Sequence, residues 1–138
     1  MKLYGHRLPI LCHDTTDTDT DSQGGDSWLV ATGSTDKDIR LWDGQFGHCV
    51  KSLFAHHEAV TCLRLVKETH YLVSGGRDGH VKFWDADTCQ LISDLQECLL
   101  EVRGLAVGDA GEFILTGGLD EGLRLWTQSN EQTIATDM

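Results

Sequence analysis

Residues 73–85 read VSGGRDGHVKFWD, and they decide the fold because two other segments superpose on them without a gap. Residues 31–43 read ATGSTDKDIRLWD and lie 42 positions earlier, while residues 115–127 read LTGGLDEGLRLWT and lie 42 positions later. In all three segments a tryptophan, a turn aspartate and a serine or threonine fall in register. The chain is therefore built from three copies of one structural unit.

The period indicates what this unit is. A repeat in the low forties that ends in Trp-Asp is typical of a β-propeller blade, a small sheet of four strands. The repeats fall approximately at residues 3–54, 55–96 and 97–138, so they fill the chain. Closing a propeller ring takes about four to eight blades. We therefore expect an all-β propeller fragment of about three four-stranded blades, which does not close a ring by itself and belongs to a longer product or an assembly.

The strands are predicted from hydrophobic patterning. In the middle repeat, apolar and polar residues alternate over residues 59–65, and residues 70–75 are more continuously apolar, as expected for a strand buried on both faces. Gly79 follows Arg77 and Asp78 and suits a tight turn between strands. The last repeat ends differently, because residues 132–135 are polar and predict only a weak fourth strand.

An acidic insertion, residues 14–27 (DTTDTDTDSQGGDS), separates the first two strands of the first repeat. Every second residue from Asp17 to Asp21 is a carboxylate, as in a calcium-binding loop. That pattern requires glycine at its sixth position and glutamate at its twelfth, where this chain has Ser22 and Trp28. We therefore expect a solvated, mobile acidic loop that binds no metal.

The net charge restricts the partners. The chain carries 22 acidic and 11 basic residues and a formal net charge of −11. Such a chain repels phosphate backbones, and no cluster of lysine or arginine is visible. Non-specific nucleic-acid binding is therefore disfavoured.

The five cysteines form no C-x-x-C pair, so neither a zinc site nor a redox dithiol is indicated. Cys49 and Cys62 lie in apolar, strand-like segments, and we expect them to be buried free thiols. The opening residues MKLYGHRLPI contain no apolar run of the length of a signal peptide, and nothing approaches a membrane span. These features predict a soluble protein of a reducing, intracellular compartment.

Four residues of the middle repeat, spaced as His56, Ser74, Asp78 and Trp84, resemble the structural tetrad of the WD-repeat (WD40) family. The resemblance implies that Asp78 accepts a hydrogen bond from His56. It further implies that His56 bonds Ser74, and that Ser74 bonds the indole N–H of Trp84. A buried polar group left without such a partner costs about 1–3 kcal/mol. We expect the tetrad to hold three strands and a turn in one geometry.

The other two repeats offer related sets. The first repeat carries His6, Thr32, Asp36 and Trp42. The third repeat carries Thr116, Asp120 and Trp126. Cys98 stands where the third histidine is expected, so this tetrad is predicted to be incomplete.

A set of His, Asp and Ser also suggests a hydrolase, but three features argue against one. The serine lies in a strand behind a tryptophan, the set recurs in each repeat, and there is no G-x-S-x-G nucleophile elbow. We predict no catalytic residue. No cofactor and no metal are predicted either, because side chains of adjacent residues in a strand, such as His48 and Cys49, point to opposite faces.

Two stretches resemble one WD-repeat family more closely. Residues 3–12 (LYGHRLPILC) and 46–56 (FGHCVKSLFAH) are similar to segments of the WD repeat-containing protein 3 family, the Dip2-type component of the small-subunit processome. Residues 82–87 (KFWDAD) and 123–126 (LRLW) match more loosely. The resemblance suggests the last blades of that family's second propeller.

This resemblance implies a non-enzymatic scaffold of the nucleus and nucleolus, within the small nucleolar ribonucleoprotein that processes pre-18S ribosomal RNA for ribosome biogenesis. Its partners would be protein subunits of that assembly, with RNA contacted mainly through them. No membrane and no small-molecule substrate would be involved.

Two alternatives remain at this point. The first is a WD-repeat adaptor of another pathway, such as substrate recognition by a ubiquitin ligase. Such adaptors commonly carry a basic residue two places after the Trp-Asp pair, where this chain has Gln45 and Asp87. The second is an enzyme or metal-binding protein that uses the acidic insertion, and calcium titration would discriminate it.

Overall fold

The computed structural model describes residues 2–18, 27–44, 46–67, 69–95, 100–108, 111–119, 122–127 and 133–137. These residues form twelve β-strands, arranged in three separate antiparallel sheets of four strands each. No helix among them is long and apolar enough to span a bilayer. The all-β prediction is confirmed, and we call the sheets blades 1, 2 and 3 in chain order.

Blade 1 contains β1 (Ile10–Thr18), β2 (Ser27–Ser34), β3 (Asp38–Asp43) and β4 (Cys49–Phe54), paired in that order. Each strand is paired to the next along the chain, as short connections favour. The turn between β2 and β3 places Lys37 at a positive φ of 76°.

Blade 2 repeats this order with β5 (Val60–Leu65), β6 (Tyr71–Gly76), β7 (Val81–Asp85) and β8 (Gln90–Leu95). Its β6–β7 turn contains Gly79 at φ 81°, a conformation that glycine adopts without steric cost. The turn is the one that the sequence predicts.

Blade 3 contains β9 (Val102–Val107), β10 (Phe113–Gly118), β11 (Gly122–Thr127) and β12 (Thr133–Asp137). The weak strand expected at the end of this repeat is a paired one, since β12 lies antiparallel to β11 over five residue pairs. Backbone hydrogen bonds to β11 satisfy the polar groups of this segment, whatever the polarity of its side chains.

The acidic insertion begins later than the sequence predicts. Strand β1 continues through Asp14 to Thr18, and its pairing with β2 ends only at Thr18 and Ser27. The threonines of this segment favour extended structure, and the facing backbone of β2 satisfies its polar groups. Asp14 is also a contact between blades, because its Oδ2 accepts a hydrogen bond of 2.8 Å from the Leu65 amide. Residues 19–26 of the insertion lie outside the described residues.

Two hydrophobic cores lie between the blades. The trailing face of a blade is the face turned toward the next blade along the chain, and the leading face is the opposite one. Blade 1 and blade 2 enclose a core that includes Ala31, Ile39, Leu41, Leu63, Leu72 and Trp84. Blade 2 and blade 3 enclose another that includes Val73, Val81, Val102, Leu105, Ile114 and Trp126.

The first strands of the blades lie side by side, β1 against β5 and β5 against β9. The three blades do not close a ring. The leading face of blade 1 and the trailing face of blade 3 are therefore not covered by another blade of this structure.

The cysteines only partly follow the prediction. Cys62 is buried, but Cys49 is exposed, so the expectation of two buried thiols is wrong for Cys49. Cys49 begins β4, the outermost strand of blade 1, whose backbone pairs on one side only. Its position in an apolar stretch did not distinguish an outer strand from an inner one.

Candidate functional site

The polar residues of blade 2 form a continuous chain of hydrogen bonds. The indole Nε1 of Trp84 donates to Ser74 Oγ at 2.9 Å, and Ser74 Oγ lies 2.8 Å from Nε2 of His56. The Nδ1 atom of His56 lies 3.0 and 3.1 Å from the two carboxylate oxygens of Asp78. Because a carboxylate can only accept, a neutral His56 carries its proton on Nδ1 and accepts from Ser74 at Nε2.

Four segments of the blade meet in this network. His56 precedes β5, Ser74 lies in β6, Asp78 lies in the β6–β7 turn and Trp84 lies in β7. Gly76 makes room for them, since a Cβ atom there would lie 2.5 Å from Asp78 Oδ1 and 2.6 Å from His56 Nδ1. Any side chain at this position would displace the carboxylate or the imidazole.

Asp78 accepts more than the histidine bond. The backbone amides of His57 and His80 donate to its two oxygens at 3.0 and 3.1 Å. Burial by itself would raise the pKa of Asp78, but the hydrogen bond and charge interaction with His56 and these two amides outweigh it. They lower the pKa of Asp78 to about 2.

Blade 1 contains the same arrangement. Trp42 Nε1 donates to Thr32 Oγ1 at 2.8 Å, and Thr32 Oγ1 lies 2.6 Å from His6 Nε2. His6 Nδ1 lies 2.9 Å from Asp36 Oδ2, and the Asp38 amide donates to Asp36 Oδ1. Burial opposes ionisation of Asp36, yet the bond from His6 and the backbone amides lower the pKa of this carboxyl.

The structure shows less of the blade 3 set. Trp126 Nε1 donates to Thr116 Oγ1 at 3.2 Å, and both side chains are buried. Asp120 and Cys98 lie outside the described residues.

The blade 2 network has the connectivity of a hydrolase triad without its accessibility. Ser74 and His56 are both 0% exposed, and Ser74 Oγ also accepts the indole proton of Trp84. A nucleophile must reach a substrate carbonyl, which a fully enclosed hydroxyl cannot do. The arrangement therefore acts as an internal cross-link between strands.

A lysine of blade 2 packs beside this network, and it was not among the residues predicted from the sequence. Lys82 is 9% exposed, donates from Nζ to the Ala55 carbonyl at 2.7 Å, and lies 5.7 Å from the Trp84 ring centroid. It thereby holds the residue before His56. A signal was present, because Arg40 and Arg124 occupy the same position of the period.

Contacts between blades are less regular. Lys51 of blade 1 donates from Nζ to the Ala86 carbonyl of blade 2 at 3.2 Å. Thr61 of blade 2 donates to the Val102 carbonyl of blade 3. The corresponding positions carry different residue types, so no periodic signal predicts these bonds.

Metal-ligating side chains are not clustered in the part of the chain that the structure describes, where no group of three or more His, Cys, Asp or Glu could hold an ion. Asp19 and Asp21 of the insertion are outside that part. Two exposed arginines share one acid, since Arg77 Nε and Arg103 Nε lie 3.5 and 3.9 Å from the Glu101 carboxylate.

Comparison with known proteins identifies the repeat. The family model described as WD domain, G-beta repeat (WD40) matches residues 1–43 and 47–85, more than half of the chain.

Three relatives illustrate the range of similar proteins. Periodic tryptophan protein 2 of Arabidopsis thaliana is 35% identical over 82 residues, covering 59% of this chain and 8% of the relative. Transducin beta-like protein 3 of Rattus norvegicus is 30% identical over 118 residues, covering 78% and 15%. COMPASS component SWD3 of Saccharomyces cerevisiae is 32% identical over 68 residues, covering 49% and 22%. The chain thus spans less than a quarter of the length of each of these relatives.

Proposed function

Because this chain belongs to the WD40 repeat family, we propose that it is a non-enzymatic scaffold that holds protein subunits together in a larger assembly. One observation carries this proposal. The polar groups that recur with the period are enclosed in the blades and hydrogen-bonded to one another, as His56 and Ser74 at 0% exposure show. Protein subunits would therefore be bound by the exposed loops, the outer strands and the uncovered faces of the blades.

The finer assignment is to the small-subunit processome. It is supported by the two motifs that resemble the WD repeat-containing protein 3 family, residues 3–12 and 46–56. None of the relatives described above is named as a member of that family, so the pathway rests on these motifs.

In the structure, most residues of both motifs belong to blade 1, whereas His56, the last residue of the second motif, is buried in the network of blade 2. The motifs contribute seven of the exposed large apolar residues of blade 1: Tyr4, Leu8, Ile10, Leu11, Phe46, Val50 and Phe54. Tyr4 is 80% exposed, and an aromatic ring in that position does not stabilise the blade through burial. Contacts with protein partners commonly use exposed apolar and aromatic side chains.

The charges favour protein partners over RNA. The net charge of −11 repels a phosphate backbone at long range. At short range, the carboxylate of Glu101 partly neutralises Arg77 and Arg103. On this proposal the protein resides in the nucleus and nucleolus and contacts RNA through other subunits.

The test uses the tagged full-length gene product in cells. We expect it in the nucleolus, and we expect it to co-purify with processome proteins after nuclease treatment. The double variant Tyr4→Ser/Phe46→Ser should recover less of these proteins. Leu91→Ser, at 45% exposure on blade 2 and outside both motifs, is the matched control and should recover as much as the wild type.

A diffuse cytoplasmic product that recovers no processome subunit would refute the pathway and leave the WD-repeat scaffold. Equal recovery by the double variant and the control would refute the role of the two motifs.

A further inference from the structure

In both interfaces between blades, a valine of the following blade lies on a glycine of the preceding one. A Cβ atom on Gly33 of blade 1 would lie 2.6 Å from Val60 Cγ1 of blade 2. A Cβ atom on Gly75 of blade 2 would lie 2.8 Å from Val102 Cγ1 of blade 3. Neither glycine has a positive φ, so what matters at these positions is the missing side chain. Each glycine forms a hole that a branched side chain fills.

A cysteine occupies the rest of each hole. Cys12 Sγ would lie 2.6 Å from a Cβ atom on Gly33, and Cys62 Sγ would lie 2.6 Å from one on Gly75. These cysteines pair directly with the glycines across the first two strands of their blades. The space left for the incoming side chain is therefore that of a valine.

Blade 3 has the same hole, larger and unfilled. Gly117 lies 42 positions after Gly75, and among the described residues a Cβ atom there would meet only Leu123, at 3.6 Å. Its partner in β9 is Gly104 in place of a cysteine, and a Cβ atom on Gly104 would meet none of the described residues within 4 Å. An open groove runs along this face, with Leu115 as part of its lining.

The apolar character of this face matches the faces that are covered. Leu115 is partly exposed, whereas its counterparts Ala31 and Val73 are each 0% exposed because the next blade covers them. The trailing face of blade 3 thus continues an interface that the chain already makes twice.

Blade 1 has a matching side chain without a hole to fill. Ile10 pairs with Ser34 just before a shift in register, as Val60 and Val102 do with their own partners in β6 and β10. Val60 and Val102 are 0% and 5% exposed, whereas Ile10 is 47% exposed. Isoleucine has one methylene more than valine, and the hole at Gly117 is larger because Gly104 replaces the cysteine.

We propose that two copies of the chain associate head to tail, with Ile10 of each copy inserted at Gly117 of the other. The two contacts are identical and related by a two-fold axis. In this arrangement the uncovered leading face of blade 1 in each copy lies against the trailing face of blade 3 in the other. Burial of the apolar faces drives the association.

Sedimentation velocity over a range of concentrations measures the association. We expect a monomer–dimer equilibrium for the wild type. Ile10→Ser and Gly117→Val should each raise the dissociation constant at least about tenfold, since overpacking or loss of a buried apolar group has this effect. A mixture of the two variants should form a heterodimer more tightly than either variant dimerises alone, because it restores one intact contact.

Gly122→Val is the matched control. It makes the same change in β11, where a Cβ atom on Gly122 meets nothing within 4 Å in the part of the chain that the structure describes. Alternation along the strand places Gly122 on the opposite face from Leu123. It should dimerise like the wild type. Circular dichroism melts at concentrations where all chains are monomeric verify that each variant is folded. If Gly117→Val is unfolded, Ile10→Ser tests the contact by itself, because it alters a half-exposed side chain. A wild type that stays monomeric, or variants that dimerise as well as the wild type, would overturn the proposal.

Discussion

Replacing Asp78 by asparagine keeps the size of the side chain and removes its charge. Asp78 accepts three N–H groups, from the His56 ring and from the amides of His57 and His80, and its side chain is only 8% exposed. Its pKa of about 2 lies nearly two units below the ordinary value of 3.8. Each unit corresponds to about 1.4 kcal/mol. The ionised carboxylate therefore contributes about 2 kcal/mol to the free energy of unfolding at neutral pH.

The sign of the pH dependence follows from the lowered pKa. Because the folded chain holds Asp78 ionised more readily than the unfolded chain does, the contribution is complete above pH 4. It is lost as the pH falls toward 2. Asp36 also has a lowered pKa, so the wild type and the variant both lose stability in acid. The difference between them isolates Asp78.

Urea unfolding followed by tryptophan fluorescence at a series of pH values between 7 and 2 measures this difference. We expect Asp78→Asn to be less stable than the wild type by about 2 kcal/mol at pH 7 and nearly equal to it at pH 2. Asp87→Asn removes an exposed carboxylate two residues after the Trp-Asp pair and should change little. An equal loss of stability in both variants, or a deficit of Asp78→Asn that does not change with pH, would contradict this role of the Asp78 carboxylate.

Three further predictions concern packing, contacts between blades and thiol reactivity. Gly75→Ala should lower the free energy of unfolding by about 1–3 kcal/mol in urea melts, because its Cβ atom would enter a hole that is already filled. Gly117→Ala should lower it much less. Equal losses would show that the two holes do not differ. Lys51→Met should lower it by about 1–2 kcal/mol in the same melts, because a bond from a charged donor to the carbonyl of blade 2 is lost. With a chromogenic thiol reagent at pH 8, Cys49→Ser should remove one thiol from the fast phase, because Cys49 is exposed. Cys62→Ser should remove one from the slow phase only, since burial raises the pKa of the Cys62 thiol.

The local structure of each blade could be predicted from the sequence because its determinants are close together along the chain. Strand β6 lies within one residue of its predicted bounds, and the turn that follows contains Gly79 at positive φ. Ser74 and Trp84 lie diagonally across two adjacent strands, and Trp84 Nε1 is 2.9 Å from Ser74 Oγ. Strand alternation and turn chemistry act over a few residues, so they leave a direct periodic signal.

Features that depend on position within the sheet were harder to predict. Cys49 lies in an apolar segment and is nevertheless exposed, because β4 is an outer strand. Asp14 belongs to an acidic stretch that reads as a loop, but β1 continues through it, and its carboxylate bonds the Leu65 amide of blade 2. The composition of a segment does not tell which strands lie beside it. In both cases the presence or absence of a neighbouring strand decides whether the residue is exposed or paired.

The repeat unit, its recurrence in three copies and most of the strands in each copy could be predicted from the order of residues alone, because a period of 42 residues carries that information along one dimension. Which faces of the blades are covered follows from how the blades pack in space. Val60 and Ile10 are counterparts in the repeat, yet one is 0% and the other 47% exposed. Likewise, Val102 of the next blade fills the space beside Gly75, whereas among the described residues only Leu123 borders the space beside Gly117. Burial depends on which blade lies against a face in space, and residues at equivalent positions of a repeat can differ in this respect.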